Sequence, residues 1–104
     1  MTEIHEGSGN IYADLGFADA GSMLIKAHLA SKIATIIKRR KLTQVQAAGL
    51  FGMPQPKVSA MLRGHFRGIS EEKMMRCLVA LGQDVQIVVK PARKGSEAGL
   101  SVAA

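Results

Sequence analysis

The fold of this chain is decided by residues 42–64, which read LTQVQAAGLFGMPQPKVSAMLRG. Thr43 is followed three residues later by Gln46, and this spacing fits a capping box, in which each side chain bonds a backbone N–H at the start of a helix. Gly52 comes where a turn would need positive φ, a conformation that costs less for glycine than for any residue with a Cβ. The first half of the stretch therefore predicts a capped helix that ends in a tight turn.

The second half predicts another short helix that packs on the first. Ala48 is small enough for two helices to cross closely, and Val58 and Met61 return to the core side at helical spacing. We expect helices over 43–51 and 54–63, and the pair forms a helix-turn-helix, which usually reads DNA in the major groove. The alternative is an ordinary pair of core helices joined by a tight turn.

The charge distribution favours the DNA-binding alternative. The 104-residue chain has a net charge of +6, and residues 1–22 contain acids but no lysine or arginine. Residues 23–68 contain no acid at all, and their cations are Lys26, Lys32, Lys38, Arg39, Arg40, Lys41, Lys57, Arg63 and Arg67. A run of cations centred on the motif is the pattern expected of a surface that binds phosphates. The run at 38–41 could also complement the C-terminus of a helix.

Composition also excludes several classes of protein. The single Cys77 cannot form an intrachain disulfide, and no apolar run or N-terminal signal pattern indicates a membrane span or export, so we expect a cytoplasmic protein. His5, His28 and His65 lack metal-ligand spacing, and nothing pairs Cys77 with a base, so we expect no metal, no cofactor and no enzyme. General RNA binding is disfavoured because the chain has few aromatic residues on which bases could stack.

The flanks of the motif predict further helices and one strand. Apolar residues recur at helical spacing over 20–40, with Lys26 pointing away from them, and a helix capped by Ser70 runs to a stop at Gly82 with Val79 on its core side. Residues 84–90, DVQIVVK, predict a β-strand that Pro91 closes.

A lone strand leaves its hydrogen-bonding groups unpaired, so this one needs a partner. We favour the same strand of a second copy across a two-fold axis, which gives a homodimer through residues 84–90. The alternative partner is the N-terminal arm around residues 9–12. The predicted organisation is an arm at 1–18, a helix-turn-helix domain with its C-terminal strand at 19–91, and a flexible tail at 92–104.

At this point the residues resemble a known family. Leu42-Thr43-Gln44, followed by Ala48, Gly52, Gln55, Val58, Ser59 and Arg63-Gly64, is similar to the motif of the Xre/Cro-type helix-turn-helix repressors. The resemblance implies a mainly α, lambda-repressor-like helical bundle. The sequences at 10–16 and 82–85 also resemble small regulators of which many are HigA-like antitoxins, encoded beside a RelE-like toxin.

The resemblance also implies which residues meet double-stranded DNA. Gln44, which opens the first motif helix, would contact a phosphate, and Gln55, Lys57 and Ser59 would face the bases with Ala60 beside them. The family usually has a Ser or Thr cap where this chain has Pro54. The remaining expected DNA contacts are cations that would hold the phosphate backbone: Arg63, His65, Arg67, Lys38 and Arg39.

The function that these features predict is a sequence-specific DNA-binding transcriptional regulator, an autoregulating repressor that acts as a homodimer. The alternative is an antitoxin whose main role is to bind and mask a RelE/HigB-like toxin. A toxin that attacks RNA would itself be basic, and the acidic residues 1–22 would complement it. The alternative role of this acidic segment is to fold back over the basic domain of its own chain.

Overall fold

The computed structural model describes residues 20–103, and these residues contain four helices. They are α1 Ala20–Arg39, α2 Gln44–Phe51, α3 Gln55–Leu62 and α4 Glu71–Ala80. The predicted mainly helical fold with a helix-turn-helix, here α2 and α3, is confirmed. The arm at 1–18 and its suggested strand at residues 9–12 lie outside the described residues.

The four helices pack around one core. α1 contacts α3 and α4, while α2 contacts α3 and α4. Each helix contributes at least one side chain with no exposed surface, and these are Ile33, Ala47, Val58, Met61 and Met74. Burial of such side chains supplies most of the stability of short helices, because helices of eight to ten residues are marginal by themselves.

The predicted helix ends are confirmed in detail. The Gln46 N–H donates to Thr43 Oγ1 at 3.0 Å and the Thr43 N–H donates to Gln46 Oε1 at 2.8 Å, which completes the capping box. Gly52 has a φ of 63° and Gly82 a φ of 84°, so both positions use the freedom that glycine provides. The Ser70 hydroxyl accepts a bond from the N–H three residues later.

Two predictions about side-chain direction are wrong. Lys26 is buried, with 8% of its surface exposed, because its ammonium finds partners inside the fold. Val79 is 57% exposed rather than part of the core. The core stripe of α4 follows the i, i+3, i+4, i+7 pattern through Met74, Cys77, Leu78 and Leu81, and Val79 lies one position beside that stripe.

The predicted C-terminal strand is not confirmed. The described part of the chain has no β-strand, and residues 83–93 have no regular secondary structure. A strand requires a hydrogen-bonded neighbour, and residues 20–103 of a single chain do not supply one to this segment. Ile87, Val88 and Val89 are 76%, 75% and 91% exposed, so the apolar character of the segment is not used within the described part of the monomer.

Candidate nucleic-acid interface

The outward side of α3 carries the four residues expected to face the bases. Val58 and Met61 are fully buried and fix which side of the helix faces the core. On the rest of the helix, Gln55 and Lys57 are exposed, and Ser59 and Ala60 are half-buried. The helix is eight residues long and packs on the core through its apolar side, so these four residues lie on the part of the helix that the core does not cover.

A hydrogen bond joins the first residues of the two motif helices. Gln55 Nε2 donates to Gln44 Oε1 over 2.8 Å, which holds the amide of Gln55 in place at the start of α3. One N–H of the Gln55 amide is used in this bond, and its second N–H and its carbonyl oxygen remain for another partner. One donor and one acceptor in this arrangement match the major-groove edge of adenine.

The N-terminus of α3 offers few backbone donors. Pro54 occupies the cap position and makes no side-chain cap bond, and Pro56 has no N–H to donate. The N–H groups of Lys57 and Val58 both bond to the Pro54 carbonyl, at 3.0 and 3.2 Å. The start of α3 therefore presents polar side chains to a partner more than backbone donors.

The loop after α3 holds three of the predicted phosphate contacts. Gly64, with a φ of 92°, lets the His65 N–H bond the Ala60 carbonyl at 2.8 Å, so α3 ends in a Schellman motif with Arg63 at its cap. Arg63, His65 and Arg67 are all exposed.

The same loop is anchored from inside the fold. Phe66 and Ile69 are buried on either side of Arg67, and Lys26 Nζ donates to the Arg67 carbonyl at 2.9 Å. The Lys26 ammonium also lies 3.7 Å from Glu71 Oε1, which compensates its buried charge. Lys26 is therefore a support for the basic loop and is withdrawn from the set of cations that could meet a phosphate.

The residues of the basic run at 38–41 have different surroundings. Lys38 and Arg39 are exposed in the last turn of α1, before the loop that leads to Gln44. The Arg40 guanidinium donates to the Leu81 carbonyl over 3.1 Å and so satisfies the C-terminus of α4. Lys38 and Arg39 stay predicted phosphate contacts, and Lys41, which follows the helix, is also exposed.

Sequence reasoning missed two supports of the motif. Lys73 Nζ donates to the Phe51 carbonyl at 2.7 Å and closes the end of α2 from α4, and Lys26 acts similarly on the basic loop. Both bonds join residues more than 20 positions apart, so no local pattern marks them. The hydrogen bond between Gln44 and Gln55 could have been suspected from the sequence, because a glutamine begins each of the two motif helices.

Three further findings concern metal ligands, the single cysteine and membrane spans in residues 20–103. These residues contain no group of three or more His, Cys, Asp or Glu that could hold a metal ion. Burial raises the pKa of the Cys77 thiol, with a smaller opposing effect from Lys73, and this disfavours the reactive thiolate. Within the same range, every helix is too short or too polar to span a bilayer.

Comparison with known proteins shows to which class of protein this chain belongs. A family model described as a helix-turn-helix domain matches residues 11–90. A solved structure assigned to the XRE family of transcriptional regulators is similar in fold, with a TM-score of 0.78 and 39% sequence identity over 83% of this chain and 98% of that one. No match is found among curated proteins.

The chain therefore belongs to the XRE-type family of helix-turn-helix proteins, and its fold is that of a DNA-binding regulator.

Proposed function

We propose that this protein is a sequence-specific transcriptional regulator that represses its own gene in the cytoplasm. The observation that carries the proposal is the 2.8 Å bond from Gln55 to Gln44, which orients a base-reading amide at the start of an exposed helix. That helix lies within an acid-free run of basic sequence, which suits it to a phosphate backbone.

The proposed readout assigns a separate role to each of four residues on α3. Gln55 pairs with adenine and Lys57 donates to guanine, while Ser59 bonds a base edge and Ala60 offers a methyl contact to thymine. Gln44 contacts a phosphate. The cations Arg63, His65, Arg67, Lys38 and Arg39 hold the DNA backbone and carry no sequence information themselves.

The regulator is proposed to act as a homodimer through residues 84–90. Two copies related by a two-fold axis present two α3 helices to successive major grooves, about 34 Å apart along the DNA. Residues 84–90 support this because three consecutive apolar side chains in the segment are largely exposed in the monomer.

A glutamine substitution tests the readout. Gln55→Ala should weaken binding to the preferred operator by about 1–3 kcal/mol and leave binding to a scrambled duplex unchanged. Gln83→Ala makes the same chemical change at an exposed glutamine outside both the motif and residues 84–90, and it should affect neither duplex. Fluorescence anisotropy with both duplexes measures the difference, and equal loss on both would contradict the assigned base contact.

The second proposed function is an antitoxin role, which can coexist with DNA binding. It is supported by the charge of residues 1–22, which contain Glu3, Glu6, Asp14 and Asp19 and no lysine or arginine. A basic, RNA-cleaving toxin would complement this segment. Deleting residues 1–18 should abolish toxin binding and preserve DNA binding, whereas loss of DNA binding alone would count against the assignment.

A further inference from the structure

α1 and α4 share an apolar surface that the described part of the chain covers only partly. Its partly buried side chains border one open space of about 1570 Å³, and they are Ile25, Ile36 and Met75. Residues 83–93 and 96–103 border the same space from the opposite side. An apolar segment placed in this space would remove side chains of both helices from water, which is favourable.

Lys32 gives the α1 side of this space a positive charge. It borders the space on the same face of the helix as Ile25 and Ile36, and α1 contains no acidic residue. Asp84 and Glu97 also border the space, yet Lys32 has no ion pair within residues 20–103. An occupant with an acidic side chain at the right position would therefore gain a partner.

His28 adds a hydrogen-bonding group that is not satisfied. It lies one helical turn before Lys32 and borders the same space. Its Nε2 is buried and has no hydrogen-bond partner in the described part of the chain. Because a buried polar atom without a partner costs free energy, an occupant that bonds this nitrogen would be stabilised further.

The residues directly before α1 have the composition that such an occupant needs. Residues 11–19 read IYADLGFAD, with four large apolar or aromatic side chains, two acids and no lysine or arginine. These residues lie outside the described range. The match to the helix-turn-helix family extends over residues 11–90, so the domain begins ahead of α1 and includes them.

We propose that residues 11–19 of the same chain turn back along α1 and dock in the space between α1, α4 and the C-terminal segment. Their apolar side chains pack on the partly buried side chains of the two helices. Asp14 pairs with Lys32, and a polar group of the returning backbone bonds His28 Nε2.

Chain length supports the pairing of Asp14 with Lys32. Asp14 precedes Ala20 by six residues, which an extended chain spans in about 20 Å. Lys32 follows Ala20 by twelve residues of helix, which rise by about 18 Å. The two lengths agree, so a segment that returns antiparallel to α1 brings the carboxylate beside the ammonium.

This docking is separate from the surfaces of the proposed function. Neither α2 nor α3 borders the space, so the exposed side of the motif stays uncovered. Glu3 and Glu6 precede the docked segment and are not used by it. The inference therefore requires neither DNA binding nor a second copy of the chain.

A nitroxide label at position 13 tests the placement by nuclear magnetic resonance. Ala13→Cys provides the attachment point, because the native Cys77 is buried. With the nitroxide and the isotope label in one chain, amide signals of α1 near Lys32 and of α4 near Met75 should lose more intensity than those of α2 and α3. The same label on Ile4→Cys is the matched control and should give a weaker effect on α1 and α4.

Two outcomes of this labelling would overturn the proposal. The first is equal loss of intensity in all four helices, or no loss, which would place residues 11–19 away from the space. The second is a loss that occurs only when isotope-labelled chains are mixed with nitroxide-labelled chains, which would assign the space to residues 11–19 of a second copy.

A substitution in the segment tests its apolar contact without a label. Leu15→Ser should shift the resonances of Ile25, Ile36 and Met75 and lower the urea midpoint of unfolding, because apolar packing in the space is lost. Ile4→Ser makes a similar change before the segment and should do neither. Wild-type resonances and an unchanged midpoint for Leu15→Ser would contradict the docking, and binding to DNA would be unaffected by that result.

Discussion

Arg63 lies where α3 ends and the basic loop begins. It occupies the C-cap of α3, its side chain is exposed, and Gly64 beside it turns the chain into the loop. A cation in this position can neutralise a phosphate without contacting a base. Its contribution should therefore appear in the salt dependence of binding and not in sequence preference.

Arg63→Ala should weaken binding to operator and scrambled DNA by similar factors. The slope of log affinity against log salt concentration should fall by about one, because one fewer counterion is released. Filter binding or anisotropy across a salt series measures the slope. Arg93→Ala removes an equivalent exposed cation from the C-terminal segment and should leave the slope unchanged; a slope unaffected by Arg63→Ala would show that this residue meets no phosphate.

Cys77 gives a second prediction at the same scale. Because burial raises the pKa of the folded thiol, the unfolded thiol ionises first as the pH rises. Its contribution to the free energy of unfolding should be constant below about pH 8.5 and decline above it, by at most about 1.4 kcal/mol for each pH unit. Urea unfolding of wild type and Cys77→Ala at several pH values isolates this effect, and parallel pH profiles above pH 9 would contradict it.

Individual residues were predictable where their roles are local. The residues that cap or end helices interact only with neighbours a few positions away, so sequence spacing is sufficient to assign them. They are Thr43 with Gln46, Gly52, Ser70 and Gly82. Lys26 was misplaced because its partners lie more than 40 residues away and no local rule marks a lysine for burial.

At the scale of elements, the end of α1 contains an unusual backbone position. Lys41 has a φ of 55° and is the non-glycine residue with positive φ in the described range 20–103. It closes a Schellman motif, with its N–H bonded to the Lys38 carbonyl at 3.1 Å and the Leu42 N–H bonded to the Ile37 carbonyl at 3.0 Å. Glycine fills the corresponding position after α3 and α4.

Lys41→Gly should stabilise the fold by about 0.5–1 kcal/mol, because relief of the left-handed backbone exceeds the added flexibility of the unfolded chain. Lys41→Ala removes the same charge without relieving the backbone and should give no such gain. Urea unfolding compares the two variants. Equal stability of the glycine and alanine variants would mean that the backbone of Lys41 is not strained.

The helices were predictable as elements, whereas the strand was not confirmed. Capping residues and a periodic apolar stripe occur together in α2 and α4, and each specifies a helix from its own sequence. A strand also needs a hydrogen-bonded neighbouring strand, and the sequence of the strand itself does not show whether one is present. The alternating pattern at residues 84–90 therefore predicts a β-strand only where a second strand is available to pair with it.

At the scale of the whole molecule, charge and symmetry together define the proposed regulator. The basic sequence is concentrated at 23–68, which includes both motif helices, while the proposed dimer contact lies after α4. In the proposed regulator, DNA binding and dimerisation would therefore use different parts of the chain. A dimer can present two α3 helices without covering either, and affinity for two half-sites should exceed that for one.

The sequence supplied the expected members of the candidate site, which stay predictions, but not the contacts between them. The resemblance supplied Gln44 and Gln55 separately, and the structure adds the hydrogen bond between their amides. It also shows that Lys26, one of the cations of the basic run, is buried and that Arg40 is bonded to the end of α4. These contacts depend on how the helices pack, which a linear pattern does not specify.

The most direct test of the account is binding of the purified protein to the DNA upstream of its own gene, compared with a scrambled duplex over a salt series. The account predicts preference for the upstream DNA that persists at physiological salt, together with a steep general loss of affinity as salt increases. Equal and strongly salt-sensitive binding to both duplexes would contradict it, because a basic surface alone would then explain the interaction.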